Sequence, residues 1–245
     1  MKKILTIAVA SIAVAAIADP FSPEIGVTTL SLTQKNNIIP VQFTSLAASG
    51  AVTAGALVCT NNIPLTSHLF VYDANSGYTA WELGAGGWSG MDVAGGSGTA
   101  SIEGITYSGG ADQKTLSTGS AIWLSFPESS KPTSVSPVLV SVYGKVATST
   151  NVTIVAGKSN LLCNPTASAK SLDAVFSGKA LSNGDTIQLI EETFSANYVY
   201  LSTASSWYKI EPGKAPAKVD SLPALGQYQG VWYKSNGSSN IEITW

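Results

Sequence analysis

The sequence predicts an all-β protein, built as two tandem β-sandwich or barrel-like domains related by internal duplication. Three observations lead there. Short runs rich in Val, Ile, Thr, Tyr and Trp lie between Gly, Asn and Asp turn signals at about 8–12-residue spacing, the pattern of a sandwich or barrel. Apolar and polar residues alternate in 136–146, 151–155, 186–190, 198–201 and 241–245, which is the period of a half-buried strand. Landmarks of the first half return in the same order in the second.

Taken along the chain, Met1-Lys2-Lys3 and the small, apolar run from Ile4 to Ala18 have the parts of a secretory signal peptide, with Ala16-Ile17-Ala18 as the cleavage site. The run is shorter than the ~20 apolar residues of a membrane span, so no span is expected after cleavage. Residues 1–18 are therefore read as a signal peptide, and the product as secreted, extracellular or on the cell surface. A first β domain is expected over 19–130. Its opening part, 19–40, holds Val27-Thr28-Thr29-Leu30-Ser31-Leu32-Thr33, an alternating strand outside the duplicated core. That strand is either the first of its own domain or one exchanged with a neighbouring copy, in which case Val27, Leu30 and Leu32 enter the neighbour. Asp73-Ala74-Asn75-Ser76-Gly77, Gly84-Ala85-Gly86-Gly87, Gly95-Gly96-Ser97-Gly98 and Ser108-Gly109-Gly110 read as turns. The Pro- and Ser-rich stretch around 131–137 reads as a linker, followed by a second β domain over 138–245. Within that domain one short helix is expected at 171–178, where Leu172, Val175 and Phe176 share a face, and turns are expected at Asn183-Gly184-Asp185 and Asn236-Gly237.

The landmarks of the duplication are specific. Val41-Gln42-Phe43 through Val58-Cys59-Thr60-Asn61 aligns with Val140-Ser141-Val142 through Leu162-Cys163-Asn164. Tyr72 and Trp81 have the spacing of Tyr198 and Trp207, and Ala121-Ile122-Trp123 matches Gly230-Val231-Trp232. With Asn160-Leu161-Leu162-Cys163-Asn164-Pro165 and Gly230-Val231-Trp232-Tyr233, the chain resembles a broad group of secreted bacterial tandem β-repeat proteins of unassigned function. The resemblance implies secretion and repetition and brings no catalytic residues.

Composition narrows the function. All thirteen basic residues are Lys, so no guanidinium fork is available for phosphate or guanine, and no nucleic-acid partner is expected. The charge is low, at −2 overall, while 33 Ser and 22 Thr make the surface polar without charge. The single His68 has only Ser67, Ser89 and Asp73 nearby in sequence as triad partners, and no nucleophile elbow is present. With one His and two distant Cys, no metal spacing exists, and neither a cofactor nor a metal is expected. Most acids sit beside turns, Glu191-Glu192 would point to opposite strand faces, and Asp73-x-Asn75-x-Gly77 lacks the later Glu of a calcium loop. The expectation is a protein that is not an enzyme.

Cys59 and Cys163 occupy similar places in the halves. Export permits a disulfide between them, whereas their equivalence favours two buried free thiols, each in its own domain. Recurrence likewise assigns Trp81, Trp207, Trp123 and Trp232 to the cores and leaves Trp88 and Trp245 as the candidates for ligand contact. The leading function is a noncatalytic structural or adhesive surface protein that assembles with itself by β-strand addition into extracellular filaments. The alternatives are a carbohydrate-binding module that takes a glycan on exposed aromatics and, behind it, an outer-membrane barrel prompted by the alternation ending in Trp245.

Overall fold

The computed structural model describes residues 25–44, 52–57, 62–90, 101–102, 105–106, 115–146, 150–166, 168–190, 195–226 and 229–245. In chain order the first stretch contains β1 (Ile25–Leu32), β2 (Asn36–Pro40), β3 (Phe43–Thr44), β4 (Val52–Thr53) and a helical turn α1 (Ala54–Leu57). It continues with β5 (His68–Asp73), β6 (Gly77–Gly84), β7 (Gly87–Gly90), β8 (Ser101–Ile102), β9 (Ile105–Thr106), β10 (Thr115–Leu116), β11 (Ala121–Ser125) and β12 (Val138–Val146). The second stretch contains β13 (Asn151–Ile154), β14 (Ser159–Cys163), β15 (Lys170–Ser171), α2 (Leu172–Phe176), β16 (Thr186–Ile190), β17 (Ser195–Leu201) and β18 (Ser206–Ile210). It closes with β19 (Ala217–Lys218), β20 (Ala224–Leu225), β21 (Gly230–Lys234) and β22 (Ile241–Thr244). The all-β class predicted by the alternation is the class observed. The predicted helix is present as α2, with Leu172, Val175 and Phe176 buried.

Turn chemistry sets the hairpins. Between β5 and β6, Asp73 Oδ1 accepts from the backbone N–H groups of Asn75 and Ser76, each at 2.9 Å, and Gly77 takes φ +79°, so this segment is an Asx-type hairpin turn. Between β6 and β7, Gly87 takes φ +106° opposite Gly84.

Two hydrophobic cores divide the chain. The first gathers Leu30, Leu32, Ile39, Leu69, Val71, Trp81, Leu83, Ile122 and Leu124 with Val140 and Val142 of β12. The second runs from Ile154 to Trp245. The expected linker at 131–137 is thus a loop inside the first unit. Beyond it, β12 pairs with β1 along all eight residues of that strand and with β3 at its far end, so the change of unit falls between Val146 and Asn151. A Pro- and Ser-rich turn carries the same composition whether it joins two strands of one core or two cores, and only strand pairing tells them apart.

The two sheets share part of their strand order, although the first adds a parallel β6·β9 pair and β12 pairs also with β3. In the first, β11 lies between β2 and β5, β5 pairs with β6, β6 with β7, and β10 pairs with the β4 strand that leads into α1. In the second, β21 lies between β14 and β16, β16 pairs with β17, β17 with β18, and β20 pairs with the β15 strand that leads into α2. An outer ribbon, β1·β12 or β13·β22, is made in each unit by the first and last of these strands. The register places Trp123 opposite Ile38 and Phe70, and Trp232 opposite Leu161 and Gln188, so these two Trp hold corresponding positions.

Other landmarks shift. Trp81 faces Leu69 as Tyr198 faces Ile187, and Trp88 faces Leu83 as Trp207 faces Tyr200. Trp81 therefore takes the register place of Tyr198, and Trp88 that of Trp207. Cys163 occupies the register position of Pro40, while Cys59 lies outside the described residues.

Candidate functional site

A strand of three large residues cannot turn all of them inward. In Val231-Trp232-Tyr233, period two sends Val231 and Tyr233 into the second core and Trp232 to the opposite face; in Ile122-Trp123-Leu124 it does the same to Trp123. Both rings are half-buried on the outer faces of their sheets, whereas Trp81 is 1% exposed. The expectation that recurrence puts Trp123 and Trp232 in the cores is corrected on this point.

The outer faces of the two sheets meet edge to edge. Ala121, Leu161 and Cys163 form a small buried cluster with Ile38, Tyr72 and Trp232 packed against it. Gly230 is required there: a Cβ at this position would sit 2.8 Å from Ile38 of the first unit. Cys163 donates its backbone N–H to the Gly119 carbonyl at 2.9 Å and its thiol to the Ser120 carbonyl at 2.7 Å, and burial pushes the thiol up to about 12. Cys163 carries a free thiol.

Above this seam the rings run as a ladder. His68 meets Phe70 at 6.1 Å between centroids, Phe70 meets Tyr78 at 6.5 Å, Tyr78 meets Tyr72 at 4.9 Å and Tyr72 meets Trp232 at 4.8 Å, all edge to face. Each ring is thereby held by its neighbour, an arrangement worth about 0.5–1.5 kcal/mol per pair beyond area. Tyr72, Tyr78 and Trp232 line a cleft of about 370 Å³ together with Ser159, Thr186, Gln188 and Lys234. That volume falls at the lower end of the ~300–1,000 Å³ of small-ligand sites. The polar members are placed by register: Gln188 lies opposite Trp232, and Thr186 and Ser159 both lie opposite Lys234. Burial raises the Tyr72 and Tyr78 phenols, Tyr72 also feeling the Asp73 charge against a hydrogen bond with Ser159, so both remain neutral donors at pH 7. A second cleft of about 300 Å³ shares Tyr72 and is lined by Asn75, Ser117, Thr118, Asn151 and Thr153.

The residues singled out from sequence fall elsewhere. Trp245 is 4% exposed and belongs to the second core, and Trp88 packs against the first; among the described residues neither indole N–H finds a partner. Trp245 is thus a core residue and Trp88 a partly buried one, while Phe70, Tyr72, Tyr78, Trp123 and Trp232 stand half-buried on the outer sheet faces. Leu30 and Leu32 are buried in their own chain's first core, whereas Val27 is 69% exposed. His68 pairs with Glu82 at 3.3 Å, while Ser67 is buried and donates to the Pro64 carbonyl at 2.7 Å, so this Ser does not face the imidazole. Glu191 and Glu192 lie outside the described residues. Among the described residues no group of three or more His, Cys, Asp or Glu is placed to hold a metal ion, and no helix is long and apolar enough to cross a membrane.

No protein-family model, curated protein or solved structure matches this chain.

Proposed function

We propose that this is a secreted, noncatalytic adhesive protein made of two units of common descent, which grips an extended glycan in the aromatic cleft between them. The supporting observation is the set of half-buried rings Tyr72, Tyr78 and Trp232 fixed beside Gln188, Ser159 and Thr186. Aromatic surface takes the C–H face of a sugar ring, and amide and hydroxyl groups take its hydroxyls, the combination of apolar walls with a few placed polar groups that ligand clefts share. Affinity electrophoresis through gels containing different polysaccharides tests the reading. The protein should be retarded by at least one, and Trp232→Ala should migrate freely. Equal retardation of the two proteins in every gel would exclude this cleft.

Self-assembly is the second reading, and one observation favours it. The strand β1 is an edge of its sheet, contains no charged residue, and shows Ile25 and Val27 on the same face as Leu139 and Tyr143 of β12, all four strongly exposed. An uncharged edge of this kind is open to strand addition by another copy. Val27→Lys should then reduce filaments or oligomers seen by electron microscopy without unfolding the monomer, and unchanged assembly would rule out this edge.

A further inference from the structure

Resting on the reading of the cleft as a sugar site, we propose that it selects an anionic sugar, one whose ring carries a carboxylate or sulfate group, with Lys234 as the countercharge. Lys234 stands two residues beyond Trp232 on the same strand face and lines the same cleft. Its surroundings leave its charge uncompensated. Lys35 and Lys131 pair with Glu128, and Lys209 and Lys214 pair with Glu211. Among the described residues no carboxylate lies within ion-pair distance of Lys234, and none lines its cleft.

Two acids adjoin cleft residues in the chain, Asp185 before Thr186 and Asp73 after Tyr72, and both are already engaged. Asp185 is buried beneath β21, where it accepts from the Tyr233 hydroxyl at 2.6 Å and from the backbone N–H groups of Asn236 and Ser182 at 2.7 and 2.8 Å. Asp73 is occupied by its own turn, accepting from the N–H groups of Asn75 and Ser76 and from the Ser76 hydroxyl. The chain as a whole is slightly acidic, so its overall field does not draw anions in. The preference for an anion comes from the ammonium that lines the cleft, exposed beside the aromatic walls and free to donate a charge-assisted hydrogen bond. A neutral sugar would stack on the same rings and leave Lys234 to water.

Isothermal titration of the full mature protein with three probes tests this: an oligouronate, the same oligomer with its carboxyl groups reduced to alcohols, and a sulfated neutral oligosaccharide. At low salt the oligouronate or the sulfated sugar should bind about tenfold or more tightly than the reduced oligomer, and whichever does identifies the anion. Lys234→Gln should erase that difference while keeping the affinity for the reduced oligomer, and circular dichroism should be unchanged. Equal binding of charged and reduced sugars, or a preference that survives Lys234→Gln, would overturn the anionic assignment and leave the glycan site standing. Binding of none of the probes, or binding of all of them undiminished in Trp232→Ala, would overturn the site and the assignment together.

Discussion

Cutting the chain after residue 130 and after residue 146 gives two versions of the first unit that differ by one loop and β12. The shorter version loses Val140 and Val142, each 1% exposed, which together contribute roughly 3–6 kcal/mol at about 1.5–3 kcal/mol per buried valine. It also strips β1 of its partner along eight residues. With about eight ladder bonds at a net ~0.5–1.5 kcal/mol each, that is a further ~4–12 kcal/mol. The combined loss of roughly 7–18 kcal/mol matches or exceeds the ~5–15 kcal/mol that holds an entire domain. We therefore expect fragment 19–146 to show a cooperative urea transition by near-ultraviolet circular dichroism, reporting on Trp81 and Trp88. Fragment 19–130 should show none. The complementary fragment 150–245 should fold, and 138–245 should gain nothing from the additional strand. A 19–130 fragment that unfolds with the same midpoint as 19–146 would refute the assignment of β12 to the first unit.

Three further outcomes follow from burial and titration. Trp81→Ala should lower the stability of the first unit by about 3–5 kcal/mol, whereas Trp232→Ala, truncating a half-buried ring, should cost about 1–2 kcal/mol; urea titration gives the order directly. The Cys163 thiol, pushed from its ordinary value of 9.0 up to about 12, and the Tyr233 hydroxyl, raised by burial and by Asp185, are both protonated when folded and ionise more readily when unfolded. The Cys163 contribution is complete below its ordinary value of 9.0 and is lost as pH rises toward about 12, while that of Tyr233 starts to fall only above 10.0. Cys163→Ala should accordingly flatten the fall in melting temperature between those limits, and an unchanged slope would count against the buried thiol. In native protein at pH 8, Cys163 should resist iodoacetamide until denaturant is added, as mass spectrometry of its peptide would show.

The class of the fold and most strands were legible because alternation depends only on neighbours. Thus 136–146, 151–155, 186–190 and 241–245 each correspond to a strand. The unit boundary was not, because what decides it is the pairing of β1 with β12, more than a hundred residues apart, and no local pattern encodes a partner. The site was misread for a different reason. Recurrence of Trp123 and Trp232 shows that the positions correspond and says nothing about the face on which they stand. The signal was nevertheless present, since Ile122-Trp123-Leu124 and Val231-Trp232-Tyr233 place large residues on both sides of a strand, and the middle one must leave the core. Gly230 was visible as part of a Gly-x-Trp motif, but its cause, the approach of Ile38 from the other unit, belongs to the tertiary structure.

The most direct test of the cleft as the binding site is an indole N–H spectrum of the protein labelled with ¹⁵N, recorded with and without a sugar that binds. The chain has six Trp, each contributing one indole resonance assignable by substitution. Addition of the sugar should move the Trp232 resonance most and leave those of Trp81, Trp207 and Trp245, all buried in the cores, in place. A shift confined to Trp88 or Trp245, with Trp232 unmoved, would contradict the account.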